Sequence, residues 1–458
     1  MEQTPSDEPG VETQAVSDQG SFRGGRFFGQ GSLRYPDGRK YTGAFRSGQP
    51  HGLGSTEWPN GETHVGEYQD GLCHGEGSTH FPDGRSYCGP YRDGNFHGQG
   101  RYCWPDGESY VGEFRAGKAT GYGTTTWPNG ESYSGEYVDG VRSGEGSYRF
   151  ANGASYIGQW REGKPEGEGK LSFADGRIYV GSFLRGKRHG KGTVVCPDGQ
   201  EYIGEYRDDR REGQGSYRWP DGDSYVGEWC GGLPHGTGCY THANGEAYTG
   251  EFREGRYHGT GVTRWPDGGV YTGDYRSGEP NGRGEFRSPS GASYQGEWRN
   301  GRPEGQGRYS YPDGSNYVGQ WRQGKRHGHG TYIFADGRRY VGEFCEGKYH
   351  GQGAFDFPDG RSYVGSFVND KYHGQGSYRS ADGERYVGEF QDGKFHGQGT
   401  NTWPDGRKFI GSYRNNRREG SGTYIDADGA VRKGRWQDGI LIDNEVQPEP
   451  PTEPCMSK

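Results

Sequence analysis

Apolar residues are scarce in this chain: 27% of its 458 residues are hydrophobic and the mean hydropathy is -1.17. The length alone suggests roughly three conventional domains, but so little aliphatic area cannot fill three globular cores, and the composition by itself falls among disordered chains. No apolar run approaches the roughly 18 residues that span a bilayer. The stretch from Met1 to Gly20 is acidic and polar, without the positive and apolar regions of a secretory signal. Glu2 excludes myristoylation, and Cys455 is followed by Met456, Ser457 and Lys458, a poor prenylation tail. The eight cysteines (Cys73, Cys88, Cys103, Cys196, Cys230, Cys239, Cys345, Cys455) include no C-x-x-C pair, so neither a disulfide framework nor a zinc module is implied, which suits a reducing compartment. Positive charge is not in excess either. Against 62 acidic residues stand 54 basic ones, a formal charge of -8, which argues against nucleic acid and gives no bulk attraction to an anionic membrane.

What the chain has instead is a repeat. Aligned on a Tyr-x-Gly step, a 23-residue unit recurs about seventeen times without insertion or deletion, placing Tyr41, Tyr87, Tyr110, Tyr133, Tyr156 and Tyr179 in one column that continues to Tyr386. Only His64, Phe409 and Arg432 replace its tyrosine. A fixed period of this size marks a repeat architecture. Aromatics make up 14% of the chain, and a few large rings per unit can support a thin structure without a deep core.

In the unit beginning at Tyr110, Y-V-G-E-F-R-A-G-K-A-T-G-Y-G-T-T-T-W-P-N-G, alternation with period two predicts two short strands and no helix. Counting Tyr110 as position zero, Tyr110, Gly112 and Phe114 share one face, and the aromatic at position four persists from Phe45 to Trp436. A glycine between two inward aromatics leaves room for a ring to lie over bare backbone. The column is expected to be a packing ladder rather than an aromatic binding groove. Pro-Asp-Gly, as at Pro36-Asp37-Gly38 or Pro404-Asp405-Gly406, is read as a hairpin turn with glycine at positive φ. The other connection, as in Gly94 to Gly100, is expected to be longer and glycine-dense. Two strands per unit then advance an antiparallel meander by about 9.5 Å, and seventeen units reach on the order of 160 Å.

The motif Tyr-x-Gly-x-(Tyr/Phe/Trp)-x-x-Gly-x-x-His-Gly-x-Gly, followed by Pro-Asp-Gly, resembles the MORN repeat (membrane occupation and recognition nexus) over roughly residues 18–442. The resemblance implies an all-β fold, an elongated single-layered antiparallel sheet of stacked hairpins. It also implies a non-catalytic scaffold of the cytoskeleton, cilium or flagellum, or of contacts between membrane and cytoskeleton. Residues 1–17 are expected to be a disordered acidic leader and 443–458 a disordered Pro/Glu-rich tail, with partial capping units at both ends of the array. Family members with enzyme activity carry a separate catalytic domain, for which neither segment has the length.

Two columns invite a functional reading. Ten of fourteen histidines fall at position ten: His51, His74, His97, His189, His235, His258, His327, His350, His373 and His396. Repeats about 9.5 Å apart are too far for two ligands that must lie within about 4 Å of each other on one zinc, so a structural role at a tight His-Gly loop is expected, with no metal and no cofactor. Position eight is basic at Lys118, Lys164, Lys187, Arg210, Arg256, Arg302, Lys325, Lys348, Lys371, Lys394 and Arg417. This ladder could meet acidic cytoskeletal partners or anionic phospholipid, or be a solvated edge that discourages lateral aggregation. No nucleophile and base stand together. The expected function is a non-enzymatic cytoplasmic scaffold for cytoskeletal or axonemal proteins, with self-association through its ends or edge. A peripheral acidic-lipid or phosphoinositide module is the alternative.

Overall fold

Every regular element in the computed structural model, which describes residues 16–444, is a β-strand. The strands extend slightly beyond the expected 18–442, opening at Val16 and closing at Asn444; the rest of the leader and tail lies outside the described residues. The chain divides into two units, residues 1–233 and 234–458. In the first, strands from Val16–Arg23 to Ser224–Cys230 pair antiparallel in chain order, Ser86–Arg92 pairing with both Asn95–Phe96 and Gly98–Cys103. In the second the same order runs from Ala247–Arg253, preceded by Leu233–Thr241, to Ile440–Asn444. Both are single-layered antiparallel sheets of stacked 23-residue hairpins, the architecture that the alternation predicts.

The unit at Tyr110 shows how the sequence produces this. In strand Ser109–Arg115, Tyr110, Gly112 and Phe114 are buried while Val111, Glu113 and Arg115 face solvent, so the period-two pattern is obeyed residue by residue. The chain then reverses at Ala116-Gly117, with φ of 50° and 79°, and re-enters at Lys118. Two successive residues at positive φ make a two-residue turn of the kind whose twist matches the flanking strands. The Gly117 amide donates to the Phe96 carbonyl at 3.0 Å, which stacks this turn on the preceding repeat.

The glycine-dense connection expected at Gly94 to Gly100 is therefore not a loop. Asp93-Gly94 is the short turn, and the residues after it are strand, Asn95–Phe96 and Gly98–Cys103. The glycines that suggested a loop serve other ends. Gly121, at φ 55°, lies in a bulge that leaves Gly121 and Tyr122 unmatched between the pairs Glu113↔Thr120 and Gly112↔Gly123. The longer connection is the Pro-Asp-Gly hairpin. Trp104 and Glu108 close it by N–H···O at 2.8 Å, the Gly107 amide donates to Trp104, and the Asp106 carboxylate accepts from the Glu108 amide at 3.0 Å. Gly107 takes φ 93°, as the turn chemistry requires.

The core is a file of rings. Tyr133 is fully buried, and a Cβ on Gly135 or Gly146 would fall 2.6 or 2.5 Å from its phenol oxygen. Its ring packs edge-on against Tyr137 at 5.2 Å and Trp160 of the next repeat at 5.0 Å. Each such pair contributes about 0.5–1.5 kcal/mol beyond area burial. Because within each unit the column rings touch their own and the next position-four ring, nearest-neighbour packing supplies what a deep core would supply elsewhere. The column ends at Arg432, which turns outward and pairs with Asp426 at 2.8 Å. At that end Leu441 packs on the cluster, whereas Ile440 and Ile442 are exposed.

Candidate functional site

The aromatic column is buried, with Trp298 only partly so, and is a packing ladder. The Tyr110 and Tyr133 hydroxyls donate to the carbonyls of Glu113 and Glu136 at 3.1 and 3.0 Å. Burial raises the pKa of both phenols well above the ordinary tyrosine value. They hold backbone; they are not poised nucleophiles.

A second column, unread in the sequence, lies over these rings. In ten repeats position nine, at the start of the returning strand, covers the column ring of its own repeat. Phe96, Tyr257, Tyr349, Tyr372 and Phe395 stack on Tyr87, Tyr248, Tyr340, Tyr363 and Tyr386 with centroids 3.8–4.0 Å apart. Arg142, Arg188, Arg211, Arg326 and Arg418 instead set a guanidinium over the ring, 5.4–5.9 Å from its centroid. The signal was present as a ring or an arginine in ten of the repeats, with Pro50, Pro165, Pro234, Pro280 and Pro303 among the exceptions, but only the pairing across the bulge reveals what it covers.

The basic ladder sits at the hairpin tips. Each of Lys118, Lys164, Lys187, Arg210, Arg256, Arg302, Lys325, Lys348, Lys371, Lys394 and Arg417 opens its returning strand and is exposed. The first turn residue of the next repeat lies 21 positions on. Where that residue is acidic an ion pair forms: Lys118 with Asp139 at 3.6 Å, Lys187 with Asp208 at 3.9 Å, Lys325 with Glu346 at 2.6 Å, Lys371 with Asp392 at 3.4 Å and Arg417 with Asp438 at 3.0 Å. The Lys325 ammonium holds the Glu346 carboxyl below its ordinary value. For Lys164, Arg210, Arg256, Arg302, Lys348 and Lys394 the corresponding residue is Arg185, Gly231, Ser277, Gln323, Asn369 or Asn415. Among the described residues none of these six cations has an ion pair. They recur every 46 residues, so the ladder of eleven reduces to uncompensated charge on alternate repeats.

The repeat unit matches the MORN repeat model in eighteen successive segments, from 19–38 and 41–63 through 386–406 and 409–431, with no gap longer than two residues. The chain belongs to the MORN-repeat family. As an array of such repeats it is a repeat scaffold of a family that is generally non-catalytic. No curated protein matches it. Solved structures similar to parts of this MORN chain include the TCP domain of Drosophila melanogaster SAS-4 in complex with a proline-rich motif of Ana2, at 13% identity over 39% of this chain and 90% of that one, with a TM-score of 0.23. Others are the TCP10 domain of Danio rerio CPAP in complex with a STIL peptide, at 16% identity over 58% and 98% with a TM-score of 0.18, and virginiamycin B lyase from Staphylococcus aureus, at 11% over 60% and 85% with a TM-score of 0.11. Likeness at these TM-scores says nothing about function.

The MORN histidines, apart from His97 between two strands, lie in the returning strand beside the bulge rather than in a tight loop. His51 faces the next turn, its Nδ1 3.6 Å from the Asp70 carboxylate and 3.5 Å from the Asp70 amide. His189, His327 and His396 bury an Nδ1 without a partner. Among the described residues no three His, Cys, Asp or Glu side chains converge as metal ligands would, and the seven cysteines there are free. No helix of the described residues is long and apolar enough to cross a membrane.

Proposed function

We propose that this MORN array is a non-enzymatic cytoplasmic scaffold that organises protein partners in a cytoskeletal, ciliary or flagellar assembly, including contacts between membrane and cytoskeleton, and that it self-associates through its ends or edge. The observation that carries this reading is the repetition of one hairpin tip every 23 residues on a fixed backbone register. Such a frame presents side chains at set intervals without a site that does chemistry. Spacing, rather than any one repeat, is what it offers a partner. The test is co-pelleting of the purified chain with detergent-extracted cytoskeletons or axonemes. Saturable pelleting supports the scaffold. A chain that stays in the supernatant at every concentration opposes it.

The six unpaired cations favour a second reading, a peripheral module for acidic lipid or phosphoinositide. Near an anionic surface each basic residue contributes about 1 kcal/mol, and only those without an acid partner are free to give it in full. Reversing Lys164, Arg210, Arg256, Arg302, Lys348 and Lys394 to glutamate then abolishes co-sedimentation with phosphoinositide vesicles. Binding that survives the six changes removes this mechanism.

A further inference from the structure

At Ala119, as at Cys73, Pro50, Pro165, Pro234, Pro280 and Pro303, position nine holds neither ring nor guanidinium, and Ala119 has the smallest side chain of these. Where neighbouring repeats place Phe96 and Arg142 over their tyrosines, this repeat offers a single methyl group, and a cavity of about 610 Å³ lies in front of it. We propose that this cavity is a docking slot for an arginine side chain of a partner protein.

The next repeat supplies the template. There the Arg142 guanidinium lies among four rings: Trp160 at 4.9 Å, Tyr148 at 5.3 Å, Tyr133 at 5.6 Å and Trp127 at 5.9 Å. Moving back 23 residues along the sequence turns these into Tyr137, Thr125, Tyr110 and Trp104, and all four line the cavity at Ala119. Three of the four rings that hold the guanidinium are thus repeated, while the guanidinium is not. A planar cation over aromatic faces is the arrangement that the slot reproduces.

The acid of the template is repeated as well. Glu131, which accepts from the Tyr148 hydroxyl at 2.7 Å and sits near Arg142, is held below the ordinary carboxyl range. Its counterpart Glu108 lines the cavity. Thr125 stands where the tyrosine donor would be and is committed to the Tyr137 hydroxyl at 2.6 Å. Burial raises the Glu108 pKa, offset in part by the Trp127 indole and by Arg142. A guanidinium entering the slot meets the Glu108 carboxylate and the rings of Trp104, Tyr110 and Tyr137, with Lys118 and Arg142 also on the cavity wall. Lysine has the charge without the stacking plane, and phenylalanine has the plane without the charge.

This inference rests on the scaffold reading only in taking the occupant to be a protein. Its test is separate from pelleting on a cytoskeleton. The full chain, labelled with 5-fluorotryptophan and with the Trp104 and Trp127 signals assigned through Trp104→Phe and Trp127→Phe, is titrated with acetyl-Gly-Arg-Gly-amide and with its citrulline, lysine and phenylalanine counterparts. The expected result is a saturable shift of both signals by the arginine peptide, with at least tenfold weaker binding of the others. Glu108→Gln should weaken it at least tenfold. Ala119→Arg, which supplies the guanidinium from within, should abolish it with no loss of thermal midpoint, and Ala119→Phe, which copies the ring of Phe96, serves as a second slot-filling variant. No saturable shift up to the peptide's solubility limit overturns the proposal. Equal binding of citrulline or phenylalanine, or binding retained in both filled variants, does the same. Self-association of the parent that vanishes in both filled variants would assign the slot to a second copy of this chain, and so would also overturn it.

Discussion

The ring of Tyr133 rests so closely on Gly146 that a Cβ there would fall 2.5 Å from the phenol oxygen, although Gly146 has no positive φ to demand glycine. The glycine is required by the ring, not by the backbone. Gly146→Ala must therefore push Tyr133 off its seat, an overpacking cost of about 1–3 kcal/mol. Urea unfolding of parent and variant measures it, and a change below a few tenths of a kcal/mol would show that the ring has room to move.

Removing the tyrosine hydroxyl should cost far less than disturbing its ring. Tyr179 donates to the Ser182 carbonyl at 2.8 Å, and a hydrogen bond of this kind contributes about 0.5–1.5 kcal/mol net. Phe409 already occupies the column without a hydroxyl, fully buried and lying over Gly422. Tyr179→Phe should lower the unfolding free energy by that amount and leave the far-ultraviolet circular dichroism unchanged.

His64 makes one repeat acid-sensitive. It takes a tyrosine position, is 1% exposed, and has its Nδ1 2.9 Å from the Thr79 hydroxyl, while its Nε2 has no partner. Burial lowers its pKa from 6.5 to about 4. The unfolded chain takes up the proton first, so the contribution of neutral His64 to stability is complete above pH 6.5 and is lost as pH falls through 4. Melting at pH 7 and pH 4.5 should show a drop for the parent that is smaller in His64→Tyr. Equal drops would mean that the proton finds a partner.

The hairpin-tip ion pairs should add little to stability. Lys325 and Glu346 are both more than half exposed, and solvent screens a pair of this kind. Lys325→Ala should change the thermal midpoint only slightly, and less still at high salt. A large loss would make the edge part of the folding core.

Much of this was legible in the sequence. Strand faces followed from period-two alternation, because Tyr110, Gly112 and Phe114 must share a side of a pleated strand. Pro-Asp-Gly gave its hairpin for the reason that its residues suggest. The short turn was hidden because its first residue varies among Ala116, Glu162, Arg185 and Gln323, none of which advertises positive φ. The nearby glycines drew the loop assignment although Gly121 serves a bulge and Gly123 a ring. The basic column could be read, but its division into paired and unpaired cations could not, since that depends on residue 325 meeting residue 346 across stacked hairpins. The gap at Ala119 was invisible for the same reason: an alanine in a returning strand means nothing until Phe96 and Arg142 show what that position covers.

The central claim, that the array serves as a protein-binding frame, is tested most directly by following a tagged copy in its native cell before and after detergent extraction. Retention on an axoneme or another insoluble structure is the predicted result. Complete release with the membrane fraction would contradict the scaffold and bring the six unpaired cations and anionic lipid to the front.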